Sequence, residues 1–263
     1  MRIWDVHCHL EDSQVAGKTL SEKVDSAVAA ADTMGIERLG LIMILKDDDA
    51  EVEKALLRRR DRTFGYIWVS LWDTPVEKNL ALIERWIANG PAVGIKLGGW
   101  SGFPDRPEYE PVFRRVAELK GLILIHTWNK IGGNPPYFGG GNLSHEPKPE
   151  HVARLARRNP DIPFILGHTG GDWELGIRAV RTCPNVYAEI SGGFAVSGEV
   201  EMAVRELGVQ RVMYGSDIAG RGFASQLAKV YDAEIPERDK ELIFSGNIRK
   251  MAAPIMTAKG MKP

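Results

Sequence analysis

The sequence has few cysteines and no long apolar segment, and both shortages exclude whole classes of protein. Its 263 residues include two cysteines, Cys8 and Cys183, which form no metal-binding or redox spacing motif. A secreted disulfide scaffold would carry more cysteines in a shorter chain. No apolar run reaches the roughly 18 residues that a membrane-spanning helix needs. We therefore expect neither a disulfide framework nor a membrane protein.

The chain also lacks an excess of charge of either sign. It has 34 Lys and Arg residues against 35 Asp and Glu residues, and the densest basic stretch, at 58–62, is typical of a solvated helix end. Nothing in this balance indicates a nucleic-acid surface. The first residues, MRIWDVHCH, lack the apolar segment and cleavage site of a secretory signal. We expect a cytoplasmic protein that acts on a small molecule.

Short apolar segments rich in Ile, Leu and Val alternate with amphipathic segments along the chain. This alternation is typical of repeated βα units and a parallel sheet. The predicted strands cover 3–9, 38–45, 63–71, 92–97, 122–128, 163–169, 186–192 and 211–217. Eight such units predict an α/β protein with a (β/α)₈ TIM-barrel fold, in a single domain over 1–263. A doubly wound open sheet is the weaker alternative, because no GxGxxG turn follows the first strand.

Helices are expected between the strands, and one irregular segment interrupts the pattern. The amphipathic segments include 19–35, 75–90, 110–121, 148–160 and 198–208, with a last helix and tail in 233–263. The irregular segment, 129–147, follows the fifth strand and is rich in glycine. A loop of this length predicts a lid-like insertion over a functional site, and a surface loop is the alternative.

The first predicted strand, in WDVHCHL (4–10), carries an unusual set of polar residues. Because successive side chains of a strand point to opposite faces, we expect Asp5, His7 and His9 on one face. Burying an unpaired polar group would cost about 2–7 kcal/mol. The sequence therefore predicts that this face binds something.

Further polar residues lie at the ends of other predicted strands. Lys96 ends the fourth strand, His126 the fifth, His168 lies in the sixth and Asp217 ends the eighth. Barrel enzymes place their catalytic groups at these ends. Converging imidazole and carboxylate groups suit Zn²⁺, Mn²⁺ or Fe²⁺ better than Ca²⁺ or Mg²⁺. We expect a divalent metal site, with zinc as the first choice.

Residues in the adjoining loops are candidates for substrate binding. Arg221, on the last βα loop, could hold a carboxylate bidentately. Trp128 and Asn129 follow the fifth strand, and Trp100 and Tyr137 also fall in loops beyond strand ends. Aromatic rings there could line a pocket for a flat substrate, or could pack beneath the insertion.

Together these motifs resemble the amidohydrolase superfamily. The resemblance is carried by D-x-H-x-H in strand one, IHT in strand five, GHTGG in strand six and YGSD in strand eight, with SGN at 245–247 similar to the closing motif. Within the superfamily, the chain is most similar to the amidohydrolase-related family that includes aminocarboxymuconate-semialdehyde decarboxylase and several lactone or small-acid hydrolases. The resemblance covers essentially the whole chain, and its motifs do not specify a substrate. It implies a homodimer as one possible oligomeric state.

The resemblance assigns roles to the polar residues at the strand ends. It implies that four residues bind a divalent metal: His7, His9, His126 and Asp217. His168 would stand beside the metal-bound water. Asp5 would orient a ligand histidine or its loop.

Lys96 leaves the number of metal ions open. Binuclear members of the superfamily carry a carboxylated lysine at this place, and His126 and His168 would then serve a second ion. The mononuclear decarboxylase type needs no such lysine. We favour one ion and an unmodified Lys96, whose ammonium could instead contact an anionic substrate.

The predicted enzyme is a metal-dependent amidohydrolase-type hydrolase that acts on a C–N or C–O bond of a small polar substrate. A bound metal lowers the pKa of its water to about 7, Asp217 would accept the proton, and His168 would orient the water. The alternative is a metal-dependent non-oxidative decarboxylase of a small unsaturated or aromatic acid. A non-catalytic metal-binding barrel is the weakest alternative. Structural zinc sites normally close with four protein ligands and often use cysteine, whereas this sequence offers an extra histidine and a lid-like insertion.

Overall fold

Eight parallel strands form a barrel in the computed structural model, which describes residues 1–10, 15–45, 49–129, 142–218 and 220–263. The strands are β1 (Trp4–His9), β2 (Arg38–Met43), β3 (Thr63–Val69), β4 (Gly94–Leu97), β5 (Leu122–His126), β6 (Phe164–Gly167), β7 (Val186–Glu189) and β8 (Val212–Met213). They pair in sequence order. Backbone hydrogen bonds from Val6 to Tyr214 (3.2 Å) and from Asp217 to His7 (2.8 Å) join the segment after β8 to β1 and close the barrel. The predicted fold and single domain are confirmed.

Helices surround the barrel and bury the outer faces of the strands. They are α1 (Leu20–Thr33), α2 (Asp49–Arg58), α3 (Val76–Ile83), α4 (Glu110–Glu118), α5 (Pro149–Arg158), α6 (Trp173–Val180), α7 (Glu199–Leu207), α8 (Phe223–Tyr231), α9 (Glu237–Glu241) and α10 (Asn247–Ala258). The strands carry near-continuous apolar runs because both of their faces are covered. Among the described residues, no helix has the length and apolar composition needed to span a membrane.

Several strands end earlier in the structure than the sequence predicted. β6 ends at Gly167 and β8 at Met213, although the sequence predicted strands to 169 and 217. His168 has a φ of 64° and Asp217 a φ of 58°, which are left-handed values that a regular strand does not adopt. Both residues therefore lie on turns just beyond their strands, at the mouth of the barrel. Most of the predicted insertion lies outside the described residues, which resume at Asn142.

The side-chain alternation predicted for β1 is interrupted by one extra residue. Cys8 lies three residues after Asp5, but the two pair with residues of β2 that are only two apart. Asp5 Oδ1 accepts hydrogen bonds from the backbone N–H groups of His7 (3.0 Å) and Ser216 (3.0 Å). Asp5 therefore does not simply share a face with the histidines. Its carboxylate instead binds the backbone of β1 at His7 and the backbone after β8 at Ser216.

Candidate active site

Three potential metal ligands converge at the carboxyl mouth of the barrel. Donor atoms of His7, His9 and Asp217 lie within 4.8 Å of one another. Asp217 Oδ1 is 3.8 Å from His7 Nε2 and 3.6 Å from His9 Nε2. Ligands held tetrahedrally at about 2.1 Å from one ion are about 3.4 Å apart. Small shifts of these side chains would let all three share one ion.

The hydrogen bonding of His7 fits a metal ligand. Its Nε2 atom is buried and forms no hydrogen bond with the residues that the structure describes. Its Nδ1 atom lies 2.9 Å from Glu189 Oε2. An ionised carboxylate only accepts hydrogen bonds, so this contact places the proton on Nδ1 and leaves the Nε2 lone pair facing Asp217. Metal-bound histidines are commonly held by a carboxylate in this way, so the donors fit a divalent cation.

Glu189, the last residue of β7, is a site residue that the sequence analysis missed. It is fully buried, and its Oε2 atom also accepts a hydrogen bond from the backbone N–H of His168 (3.1 Å) and from Ser191 Oγ (2.9 Å). Donor atoms of His7, His168 and Glu189 form a second group within 4.8 Å. The sequence predicts a strand that continues to residue 192. Glu189 therefore falls in the middle of the predicted strand, and a search for polar residues at strand ends does not find it. An acidic residue inside an apolar strand was the available signal.

His168 lies beside the ligand group, at the centre of a chain of polar contacts. Its Nδ1 atom is 3.1 Å from Ser191 Oγ, and its Nε2 atom is 3.1 Å from His126 Nδ1. The centroids of the His168 and His7 rings are 4.7 Å apart. The structure therefore brings His168 next to the histidines of β1.

His126 ends β5 near the same site, but its ring nitrogens have other contacts. Its Nε2 atom lies 3.0 Å from Glu146 Oε1, and its Nδ1 atom faces His168. Glu146 is buried and also accepts a hydrogen bond from the backbone N–H of Leu143 (2.8 Å). Within the described part of the chain, the ligand group around Asp217 does not include His126. No motif or periodicity in the sequence indicates Glu146, which lies in the predicted insertion.

Burial controls the ionisation of this site. Loss of hydration lowers the pKa of His7 and of His168 well below the usual histidine value, and the buried Lys96 adds to the effect. Burial raises the pKa of Asp217 to about 6, against the opposing charges of His9 and Lys96. The neutral imidazole is the form that binds a cation, so the environment favours metal binding near neutral pH.

The aromatic ring of Trp128 packs beside two of the site histidines. Its ring centroid lies 6.2 Å from that of His126 and 5.4 Å from that of His168. The backbone N–H of Asn129 donates to Gly170 O at 2.7 Å, which ties this segment to the turn after His168. The structure therefore places both predicted substrate-binding residues of this loop at the mouth.

Two other predicted loop residues, Arg221 and Trp100, are exposed, whereas Lys96 is buried. Arg221 is exposed, and its guanidinium donates to Gly220 O (2.7 Å) and Gly193 O (3.3 Å) at the rim. Trp100 is 64% exposed, and Tyr137 lies outside the described residues. Arg221 is thus the candidate that links the last βα loop to the loop after β7.

The barrel and its polar mouth define the chain as a (β/α)₈ protein with a candidate metal centre. The chain belongs to the amidohydrolase family, because the family model described as Amidohydrolase matches residues 4–251. This match confirms the predicted membership of the amidohydrolase-related family. No curated protein matches the chain.

Solved structures with the same fold include three decarboxylases. The chain is similar to 2,6-dihydroxybenzoate decarboxylase from Rhizobium, with a TM-score of 0.69, 18% identity, and coverage of 96% of this chain and 98% of that chain. For 5-carboxyvanillate decarboxylase from Sphingomonas paucimobilis, the TM-score is 0.67, the identity 15%, and the coverage 96% and 99%. For dihydroxybenzoic acid decarboxylase from a Polaromonas species, with bound manganese and the inhibitor 2-nitroresorcinol, the TM-score is 0.70, the identity 16%, and the coverage 96% and 96%.

The prediction of an amidohydrolase-type hydrolase is wrong by this comparison. The similar structures just described are decarboxylases, which are lyases. The prediction failed because the same histidine and carboxylate donors support both hydrolysis and decarboxylation. The sequence motifs identify these donors and do not distinguish the two reactions. The expectation of a divalent metal is supported by the donor group and by the manganese in the Polaromonas structure.

Proposed function

We propose that the chain is a metal-dependent non-oxidative decarboxylase of a small unsaturated or aromatic acid. The observation that carries the proposal is the convergence of His7, His9 and Asp217 at the mouth of a barrel that resembles decarboxylases over nearly its whole length. The small acid is the proposed partner. A homodimer and a cytoplasmic location stay predictions from the sequence.

One divalent ion is proposed for the site. His7, His9 and Asp217 would hold it, with Lys96 unmodified. His126 would be the further ligand, and it would exchange its contact with Glu146 or with His168 for the ion. Zinc suits this mixture of imidazole and carboxylate, and manganese is the alternative because a similar structure contains it. When bound, the ion supplies a positive centre that stabilises negative charge on substrate oxygen atoms.

Asp217 and His168 are proposed as the acid–base groups. Decarboxylation replaces a carbon–carboxylate bond with a carbon–hydrogen bond, so the site must deliver one proton to that carbon. The bond to the carboxylate then breaks, its electron pair returns to the unsaturated system, and CO₂ leaves. Asp217 would deliver the proton, and His168, held by Ser191 and His126, would fix the position of the substrate's polar groups.

Substrate binding is assigned to residues around these groups. The ring of Trp128 lies beside His126 and His168 and would stack on a flat substrate. Asn129 lies next to it and would supply a polar contact. Arg221, at the rim, would attract the anionic acid into the mouth.

The test is decarboxylation in heavy water. The protein is treated with a chelator, reloaded with Zn²⁺ or Mn²⁺, and incubated in D₂O with hydroxybenzoic and unsaturated acids that carry ¹³C in the carboxyl group. We expect one labelled CO₂ for each molecule consumed and one deuterium at the vacated carbon. The His9→Ala variant is the control and should release none. Absence of labelled CO₂ from every acid, in protein that retains metal, would overturn the proposal.

A further inference from the structure

A buried ion pair lies behind the candidate active site, among residues that the proposed reaction does not use. Lys229 Nζ of α8 is 3.0 Å from Glu199 Oε2 at the start of α7, and the two side chains are 2% and 3% exposed. Ion pairs of this kind are weak contributors to stability, because each charge gives up its hydration. The other contacts of the pair indicate a different role.

The ammonium group of Lys229 holds the backbone on both sides of Ser191. It donates to Ile190 O at 2.8 Å and to Gly192 O at 2.9 Å. With the carboxylate, these acceptors match the three N–H groups of a lysine. Gly192 has a φ of 76°, so the chain has left β7 here and the strand ladder no longer sets its path. Lys229 therefore fixes this loop where the sheet does not.

Ser191, at the centre of the clamped segment, touches two histidines of the site. Its Oγ atom lies 3.2 Å from His7 Nδ1 and 3.1 Å from His168 Nδ1. Its backbone N–H donates to Glu189 Oε1 at 2.6 Å. A Cβ atom on Gly192 would meet His168 Nδ1 at 2.7 Å, so the loop runs directly against this ring. A shift of the segment would thus move both histidines.

The other partner of the ion pair reaches the neighbouring turn. The side chain of Thr169 lies against the Glu199 carboxylate, and its Oγ1 atom donates to Glu189 O at 3.0 Å. Thr169 directly follows His168 and has a φ of 46°. The pair therefore contacts the segments after β6 and after β7, which are the two that carry His168 and Ser191.

We propose that Lys229 is a positioning residue for the active site, which orients the His7 and His168 rings through the backbone on either side of Ser191. Glu199 accepts the third N–H of Lys229 through Oε2 and is its counter-ion when ionised. The role of these rings in catalysis rests on the proposed function. Their orientation does not, because it can be measured without substrate.

The test compares a neutral replacement of the pair with a matched control. The double variant Lys229→Met with Glu199→Gln removes both charges and keeps the side-chain lengths. The control is Lys259→Met, because Lys259 is also partly buried and donates to a backbone carbonyl, Gly90 O at 2.6 Å, which precedes β4 and lies outside α7, α8 and the loops that the pair contacts. The measurements are ¹⁵N spectra of the histidine rings in metal-free protein, the Kd for Mn²⁺ and the melting temperature.

We expect the double variant to shift the ring signals of His7 and His168 and to raise the Kd for Mn²⁺ about 10-fold or more, as loss of supporting contacts around metal ligands does. Ser191→Ala should give a similar change, and combining it with the double variant should add little. Lys259→Met should leave both the ring signals and the Kd for Mn²⁺ unchanged, whatever its melting temperature.

A double variant with a lower melting temperature but unchanged ring signals and Kd would show a purely structural ion pair and overturn the proposal. If that variant does not fold, Lys229→Arg answers the same question, because it keeps a cation but moves its donor groups. Unchanged ring signals in folded Lys229→Arg protein would then overturn the proposal.

Discussion

His7 Nδ1 lies 2.9 Å from Glu189 Oε2, and neither side chain is exposed to solvent. This contact joins β1 to β7 across the mouth of the barrel. It fixes the ring of a proposed metal ligand through a carboxylate that contacts three separate segments of the site. The orientation of the metal ligand is therefore set by a strand that does not itself supply a ligand to the proposed ion.

Glu189→Gln should weaken metal binding about 10- to 100-fold, because the amide does not stabilise the Nδ1–H tautomer as a carboxylate does. The Kd for Zn²⁺ or Mn²⁺ is measured by competition with a chromophoric chelator. Glu206→Gln is the control, since Glu206 pairs with arginines at the surface. An unchanged Kd in Glu189→Gln would show that the pair does not orient His7.

Removal of the metal should lower stability as well as activity, because an ion that binds only the folded state stabilises it. At a free concentration 100 times its Kd, this stabilisation is about 2.7 kcal/mol. The free energy of unfolding is measured in urea with and without added ion. In His9→Ala and Asp217→Asn, we expect a folded barrel whose stability no longer responds to the ion and whose turnover is lost. Near-wild-type turnover in either variant would refute the assigned site.

Arg221→Met should raise KM for an acidic substrate about 10-fold while leaving the melting temperature unchanged, because this side chain is exposed and its hydrogen bonds with the described residues are to loop carbonyls. The matched control is Arg238→Met, another exposed arginine, which lies in α9. Steady-state kinetics separate the two parameters. A fall in kcat with constant KM would argue against a role in binding.

Glu199→Gln should change how stability depends on pH. Burial raises the pKa of Glu199 from 4.5 to about 7, although the charge of Lys229 opposes this. The folded protein therefore keeps a proton that the unfolded chain has lost, and the contribution of this group to the free energy of unfolding falls as pH rises from 4.5 to about 7. The slope is at most about 1.4 kcal/mol per pH unit. Urea unfolding between pH 5 and 8 should show the wild type losing stability relative to the variant up to pH 7, and parallel curves throughout would contradict this.

The barrel could be predicted because apolar strands and amphipathic helices leave a strong periodic signal. His7, His9 and Asp217 were found because imidazole and carboxylate groups interrupt or end that signal. Strand ends were less accurate, since the turns at His168 and Asp217 use left-handed backbone that residue type alone does not indicate. These same turns aim the two side chains into the mouth.

The contacts that set ring orientation could not be predicted. Glu189 was hidden inside a predicted strand, and Glu146 lies in a segment without periodicity. Lys229 is separated from Ile190 by 39 residues, and an amphipathic helix gives no sign that one of its lysines is buried. The choice between hydrolysis and decarboxylation failed for a chemical reason, because both reactions use the same donor atoms.

The closure of the barrel also constrains when the ion can bind during synthesis. Two of its proposed donors, His7 and His9, are made with β1, whereas Asp217 is made only after β8. The backbone hydrogen bond from Asp217 to His7 that closes the barrel also brings these donors together. A nascent chain cannot bring His7, His9 and Asp217 together before Asp217 has been made, so binding of the ion by these three residues requires the barrel to be closed.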